Sequence, residues 1–141
     1  MVIEPLWDPD AAGPVEVGVD AIEIQRIQRV VQRFGQRFLE RIYTEAERSR
    51  YAGRIPELAA RFAAKEAVMK ALGTGIRGIR WRDIEVLPNA RGKPLIRLYG
   101  TAAERARRLG VRHIAVSLTH ARELAIAVVV ATFDASGPGR P

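Results

Sequence analysis

Apolar and polar positions alternate in the first patterned stretch of the chain, where Val15, Val17 and Val19 interleave with Glu16, Gly18 and Asp20. A period of two predicts a strand with one buried face, and Asp20 then stands where the strand meets a helix. From Ala21 the spacing changes, because Ile24, Ile27, Val31 and Phe34 recur at helical intervals and make an apolar stripe. Arg26, Arg29, Arg33 and Arg37 fall at i, i+3, i+7 and i+11 of the same stretch, which predicts one exposed basic ridge. Thr44 with Glu47 is a capping-box pair that opens a short helix reaching about Tyr51. Pro56 suits the first turn of a longer helix running to Leu72, and Gly73 supplies the left-handed residue that stops it.

Residues 83–87 and 95–98 read as two strands joined through Asn89-Ala-Arg-Gly92, and residues 101–109 as an amphipathic helix. Residues 113–119 alternate as a strand, and the apolar run 125–133 has the character of a central, buried one. The order β-α-α-α-β-β-α-β-β predicts an α+β protein whose mainly antiparallel sheet packs against the long helix. Residues 1–14 carry prolines and acids without periodicity and are expected to form a loose extension. The tail, residues 134–141, reads likewise, which leaves 15–133 as one folded unit.

A length of 141 residues fits one domain with a real core. No stretch reaches the roughly 18 to 20 apolar residues of a membrane-spanning helix, the nearest being the run 125–133. The first ten residues lack the basic and apolar regions of a signal peptide, so a cytoplasmic location is expected. The absence of cysteine excludes disulfides, thiolate metal sites and a cysteine nucleophile, leaving carboxylates, two histidines and hydroxyls to carry chemistry. Hard, oxygen-seeking metals suit that inventory. A net charge of +7 calls for an anionic partner: nucleic acid, an acidic membrane surface, an acidic protein or a phosphate-rich ligand. Of 23 basic residues only Lys65, Lys70 and Lys93 are lysine, which marks them as places where a compact point charge is wanted.

Local reasoning leaves the candidate acids open. Asp20, at a strand-to-helix junction, reads more readily as a helix N-cap than as a ligand, and Glu66 has Lys70 four residues on, an ordinary surface pair. Alanines around Lys65, Glu66 and Lys70 would let other groups approach, and the helix ends in Gly73-Thr-Gly75, a turn whose N–H groups can come near phosphate oxygens. With lysines one and two turns upstream, that ending points to several bound phosphates. His120 follows a strand beside a turn, where a histidine is usually a turn or packing residue.

Taken in order, four segments closely resemble the holo-[acyl-carrier-protein] synthases, the short bacterial branch of the 4′-phosphopantetheinyl transferases. They are Val17-Gly-Val-Asp-Ala-Ile-Glu-Ile-Gln-Arg-Ile27, Arg61-Phe-Ala-Ala-Lys-Glu-Ala-Val-Met-Lys-Ala-Leu-Gly-Thr-Gly75, Gly92-Lys-Pro94 and Val116-Ser-Leu-Thr-His120. The resemblance spans about residues 15–133. It implies transfer of the phosphopantetheine arm of coenzyme A to a serine of an acyl carrier protein, in support of fatty acid or polyketide biosynthesis. It implies Asp20 and Glu66 as ligands of Mg2+, with water completing the shell because Ile22 stands where the larger two-domain branch has a carboxylate. Lys70, Arg61 and His120 would lie around the phosphates, with Phe62, Gly73, Thr74, Gly75, Pro94 and Ser117 lining the rest of the coenzyme A site. Met69 and Ala121 depart from the family's usual small residue and threonine. A homotrimer with active sites between subunits is implied as well.

Within that resemblance Glu66 is expected to take the serine proton, with Lys70 and His120 beside it in the catalytic group. Arg26, Arg29 and Arg33 would hold the acidic carrier protein. The competing reading is a small basic nucleic-acid-binding protein, favoured by charge and by the ridge. Against it, no aromatics interleave with the arginines and no nucleic-acid motif is present.

Overall fold

The computed structural model describes residues 14–74 and 77–134. Among the described residues five strands and five α-helices, with a short 3-10 turn at Trp81–Asp83, follow one another in a single layer-on-layer unit. They are β1 (Val15–Glu23), α1 (Ile24–Phe34), α2 (Gln36–Ile42), α3 (Glu45–Tyr51), α4 (Ile55–Ala71), β2 (Ile84–Pro88), β3 (Pro94–Leu98), α5 (Gly100–Leu109), β4 (Val111–His120) and β5 (Leu124–Phe133). All pairings are antiparallel: β1-β5-β4 form a three-stranded sheet, and β2-β3 a separate hairpin. The expected α+β architecture, with a long helix on an antiparallel sheet, is what the chain adopts. The loose ends expected for residues 1–14 and 134–141 lie mostly outside the described residues. At their inner edges Pro14 accepts a bond from the Phe133 N–H, and the Asp134 N–H donates to Gly110.

Two boundaries differ from expectation. Strand β1 continues three residues beyond Asp20, because its ladder with β5 runs on through Asp20↔Ala127, Ala21↔Ile126, Ile22↔Ala125 and Glu23↔Leu124. Asp20 is therefore inside a strand and caps nothing; the residue before α1 is Glu23, whose side chain makes no capping bond. The apolar stripe Ile24, Ile27, Val31 and Phe34 lies wholly within α1 as expected, but that helix ends at Gly35, with φ 55° and ψ −130°, and Arg37 of the basic ridge falls on α2. Arg37 accordingly leaves the line of Arg26, Arg29 and Arg33.

Helix α4 is the core. It lies across β1 and β5, and its buried positions are mainly alanine: Ala59, Ala60, Ala63, Ala64, Ala67 and Ala71. Small side chains let the helix approach the sheet so closely that a Cβ on Gly18 would collide with the Ala67 carbonyl. The facing side of β5 is likewise small and wholly buried, with Ala125, Ala127, Val129 and Ala131. At the other end of the unit the capping box of Thr44 and Glu47 is formed in both directions. The fully buried Glu47 carboxylate also accepts the Val86 N–H and the Lys65 ammonium, the latter at 2.7 Å. Lys65 is pulled below its usual pKa by burial, with Glu47 opposing. No helix among the described residues is long and apolar enough to cross a membrane.

Candidate active site

Side chains alternate across β1, so Gly18, Asp20 and Ile22 face α4 while Val15, Val17 and Val19 face away. On α4, Phe62, Glu66 and Lys70 recur at i, i+4 and i+8 and present one stripe toward this end of the strand. The two patterns meet at Asp20. Lys70 Nζ lies 3.0 Å from Asp20 Oδ1 and donates to the Val19 carbonyl at 2.9 Å. Lys70 thus bridges to the strand and is not used in a pair with Glu66 along the helix. Glu66 lies near enough to Asp20 for that side chain and its charge to act on the Glu66 carboxyl, which brings two carboxyl groups to one place.

Burial, the hydrogen bond to Asp20 and the Asp20 charge together push Glu66 up to about 7, with Lys70 and Arg26 opposing. Two acids at one point, one of them partly desolvated, favour sharing a proton or a cation between them. Glu66 is consequently poised to gain or lose a proton near neutral pH, the condition that suits a general base. Among the described residues no three His, Asp or Glu side chains cluster to hold a metal, so the donor set here is two carboxylates. Hard oxygen ligands few in number match a cation that keeps most of its water, the habit of Mg2+.

The remaining residues singled out in the sequence are distributed differently. Arg26, Arg29 and Arg33 are exposed on α1, and Arg26 is close enough to act electrostatically on Glu66. Phe62 stacks on Trp81, centroids 4.8 Å apart and planes at 18°. Gly73 takes φ 73° directly after α4, and the Thr74 N–H donates to Met69 O at 3.1 Å. Gly75 lies outside the described residues. Arg61 is turned away from Glu66: five residues along a helix is about 140° around it. Its guanidinium covers the Tyr51 ring at 4.1 Å, donates to the Tyr51 hydroxyl at 2.7 Å, and leaves a buried Nε without a partner. Burial lowers its pKa, against the pull of Tyr51, Glu47 and Glu57.

Pro94 opens β3 in the separate hairpin. Ser117 pairs with Val128 on the face of the sheet opposite α4. His120 is exposed in the row Ile22–Ala125–His120, two strands and so roughly 10 Å from β1. One chain therefore brings together Asp20, Glu66, Lys70 and Arg26, and does not bring Pro94, Ser117 or His120 to them. Met69 is buried in the core, and Ala121 is an exposed turn residue. The phosphate role suggested for the lysine two turns above Gly73 is overturned, since Lys65 is consumed by buried carbonyls and Glu47. Sequence reasoning also missed Trp81 beside Phe62 and Glu47 beneath Lys65. No local signal marks either pair, since 19 and 18 residues separate the partners.

Residues 16–129 match the model of the 4'-phosphopantetheinyl transferase superfamily, and the chain belongs to that family. Within it the chain is similar to holo-[acyl-carrier-protein] synthases. It is 53% identical over 120 residues to that of Herpetosiphon aurantiacus, covering 80% of this chain and 94% of the relative. The crystal structure of the Helicobacter pylori synthase in complex with coenzyme A superposes with a TM-score of 0.76 at 33% identity, covering 82% of this chain and 99% of that one. The Bacillus anthracis synthase, in complex with coenzyme A (3',5'-ADP), gives a TM-score of 0.70 at 35% identity, covering 84% and 96%. A nucleic-acid-binding role gains nothing from these likenesses.

Proposed function

We propose that this protein transfers 4′-phosphopantetheine from coenzyme A to a serine of apo-acyl carrier protein, releasing 3′,5′-ADP. The observation that carries the reading is the proximity of Asp20 and Glu66, with Lys70 paired to Asp20, in a fold shared with a synthase in complex with coenzyme A. The serine oxygen attacks the phosphorus that bears pantetheine, the bond to the bridging oxygen breaks, and its electron pair leaves with 3′,5′-ADP. Glu66 accepts the serine proton; burial and Asp20 raise its carboxyl in the metal-free protein, which makes it a stronger base than an ordinary carboxylate. Lys70 stabilises charge developing on the 5′-phosphate of the departing 3′,5′-ADP. Asp20 and Glu66 would hold Mg2+, which when bound supplies Lewis-acid neutralisation of the diphosphate. Arg26, with Arg29 and Arg33 along α1, would steer an acidic carrier protein to this point.

We further propose a homotrimer in which Pro94, Ser117 and His120 of one subunit serve the Asp20–Glu66 pair of the next. Support comes from the uncovered outer face of the β1-β5-β4 sheet, where Val15, Val17 and Val19 are 47%, 67% and 57% exposed beside Val128 and Leu124. Such a continuous apolar patch is costly in water and suits a subunit interface. The reading carries a cytoplasmic location, where carrier protein and coenzyme A meet in fatty acid biosynthesis. Intact-mass measurement of apo-acyl carrier protein after incubation with this protein, coenzyme A and Mg2+ is the direct test. Gain of one phosphopantetheine is expected, and an unchanged mass defeats the reading.

A further inference from the structure

Lys65 immediately precedes Glu66, yet it shares nothing with the carboxylate pair. Its ammonium is wholly buried and lies 2.9 Å from Ile42 O, 2.7 Å from Glu47 Oε1, 3.2 Å from Trp81 O and 2.6 Å from Ile84 O. Four acceptors surround three protons, and they come from the end of α2, from α3, from the turn before β2 and from β2 itself. An arginine could not replace it, because a planar fork spreads its donors where these acceptors converge on one nitrogen. A buried ion pair of this kind is weak evidence of stability and is better understood as a device that selects one arrangement.

The helix that carries it needs such a device. Six of the ten buried residues of α4 are alanine, so the helix has few ridges to resist turning about its axis against the sheet. A turn of about 10° would carry a side-chain tip 5–6 Å from the axis through about 1 Å. Displacement on that scale can cost on the order of 100-fold in rate.

We propose that Lys65 is a positioning residue, which fixes the rotation of α4 and thereby holds Glu66 against Asp20; the proposal rests on the role given to Glu66 above. Its anchor to Trp81 O also ties in the Phe62–Trp81 stack, one helical turn from Glu66.

The test is Lys65→Met/Glu47→Gln, which removes both buried charges and leaves neither stranded. A folded protein by circular dichroism is expected, with kcat about 100-fold lower, KM for coenzyme A within about threefold, and Mg2+ binding by titration calorimetry about tenfold weaker. Its crystal structure should show Glu66 moved by about 1 Å relative to Asp20. Leu109→Ala, which opens a core cavity in α5, is the control and should retain both kcat and Mg2+ affinity. If the double variant does not fold, Lys65→Arg takes its place with the same expected direction. Wild-type kcat with Glu66 unmoved, or an equal loss in Leu109→Ala, overturns the proposal. Absence of Mg2+ binding by the wild type would instead overturn the metal reading, and the position of Glu66 in the variant crystal would still decide the role of Lys65.

Discussion

Glu66 combines two demands that oppose each other. Its carboxyl binds a proton more tightly in the fold than in the unfolded chain, because burial and Asp20 raise it from 4.5 to about 7. A raised carboxyl contributes stability that is complete below about pH 4.5 and is lost as pH rises through about 7. At pH 8 the ligand-free enzyme therefore holds a repelling pair, at a cost of about 1 kcal/mol once the half-exposed setting is allowed for. Glu66→Gln should raise Tm by a few degrees at pH 8 and by little at pH 5, measured by scanning calorimetry, while transfer falls at least 100-fold. A variant with near-normal transfer at saturating Mg2+ would remove Glu66 from the role of base. Asp20→Asn should bring the 13C-detected titration of Glu66 down from about 7, since two of its three upward causes are Asp20. Whether a lysine pairs with the helix, the strand or the interior is invisible at this scale: Lys65 and Lys70 share a motif but end on opposite tasks.

At the scale of elements, the site is made by the separation of β1 and α4. Gly18 allows it, and Gly18→Ala forces the new methyl against the Ala67 carbonyl. Overpacking of that kind costs about 1–3 kcal/mol. The larger effect should be on function, because the same shift parts Asp20 from Glu66: transfer should drop more than tenfold in protein that is still folded. Helix α1 holds the other element-scale expectation. Charge reversal at Arg26 and Arg29 should raise KM for the carrier protein at least tenfold and leave KM for coenzyme A within about twofold, since α1 faces solvent beside the pair. Equal effects on both would argue against docking on α1. The break at Gly35 confines that surface to Arg26, Arg29 and Arg33.

For the whole molecule, the uncovered sheet face and the scatter of Pro94, Ser117 and His120 are what the proposed trimer would account for. Val17→Lys with Val19→Lys places charge in the middle of the exposed apolar strand face. Native mass spectrometry should find the double variant monomeric where the proposed assembly predicts a trimer for the wild type, and transfer should fall with assembly. A trimer of unchanged stability would move the interface elsewhere. The strongly basic surface suits steering of an acidic protein at this scale and adds little to the fold.

Element types were legible along the chain because periodicity is local: a strand at Val15, Val17 and Val19, a capped helix at Thr44, a long helix ended by Gly73. Order among motifs likewise made the family visible, and within it Asp20, Glu66 and Lys70 were the residues proposed to carry the chemistry. Taken singly, Asp20 was better explained as a cap and Glu66 as half of a surface pair. Tertiary structure decided otherwise, since nothing near Asp20 in the chain announces that β5 extends the ladder past it or that α4 delivers a second carboxylate 46 residues later. Contacts between distant segments depend on how faces pack, and local spacing carries no record of them. For that reason only the folded chain could assign Lys70 to the site, Lys65 to the interior and Arg61 to Tyr51.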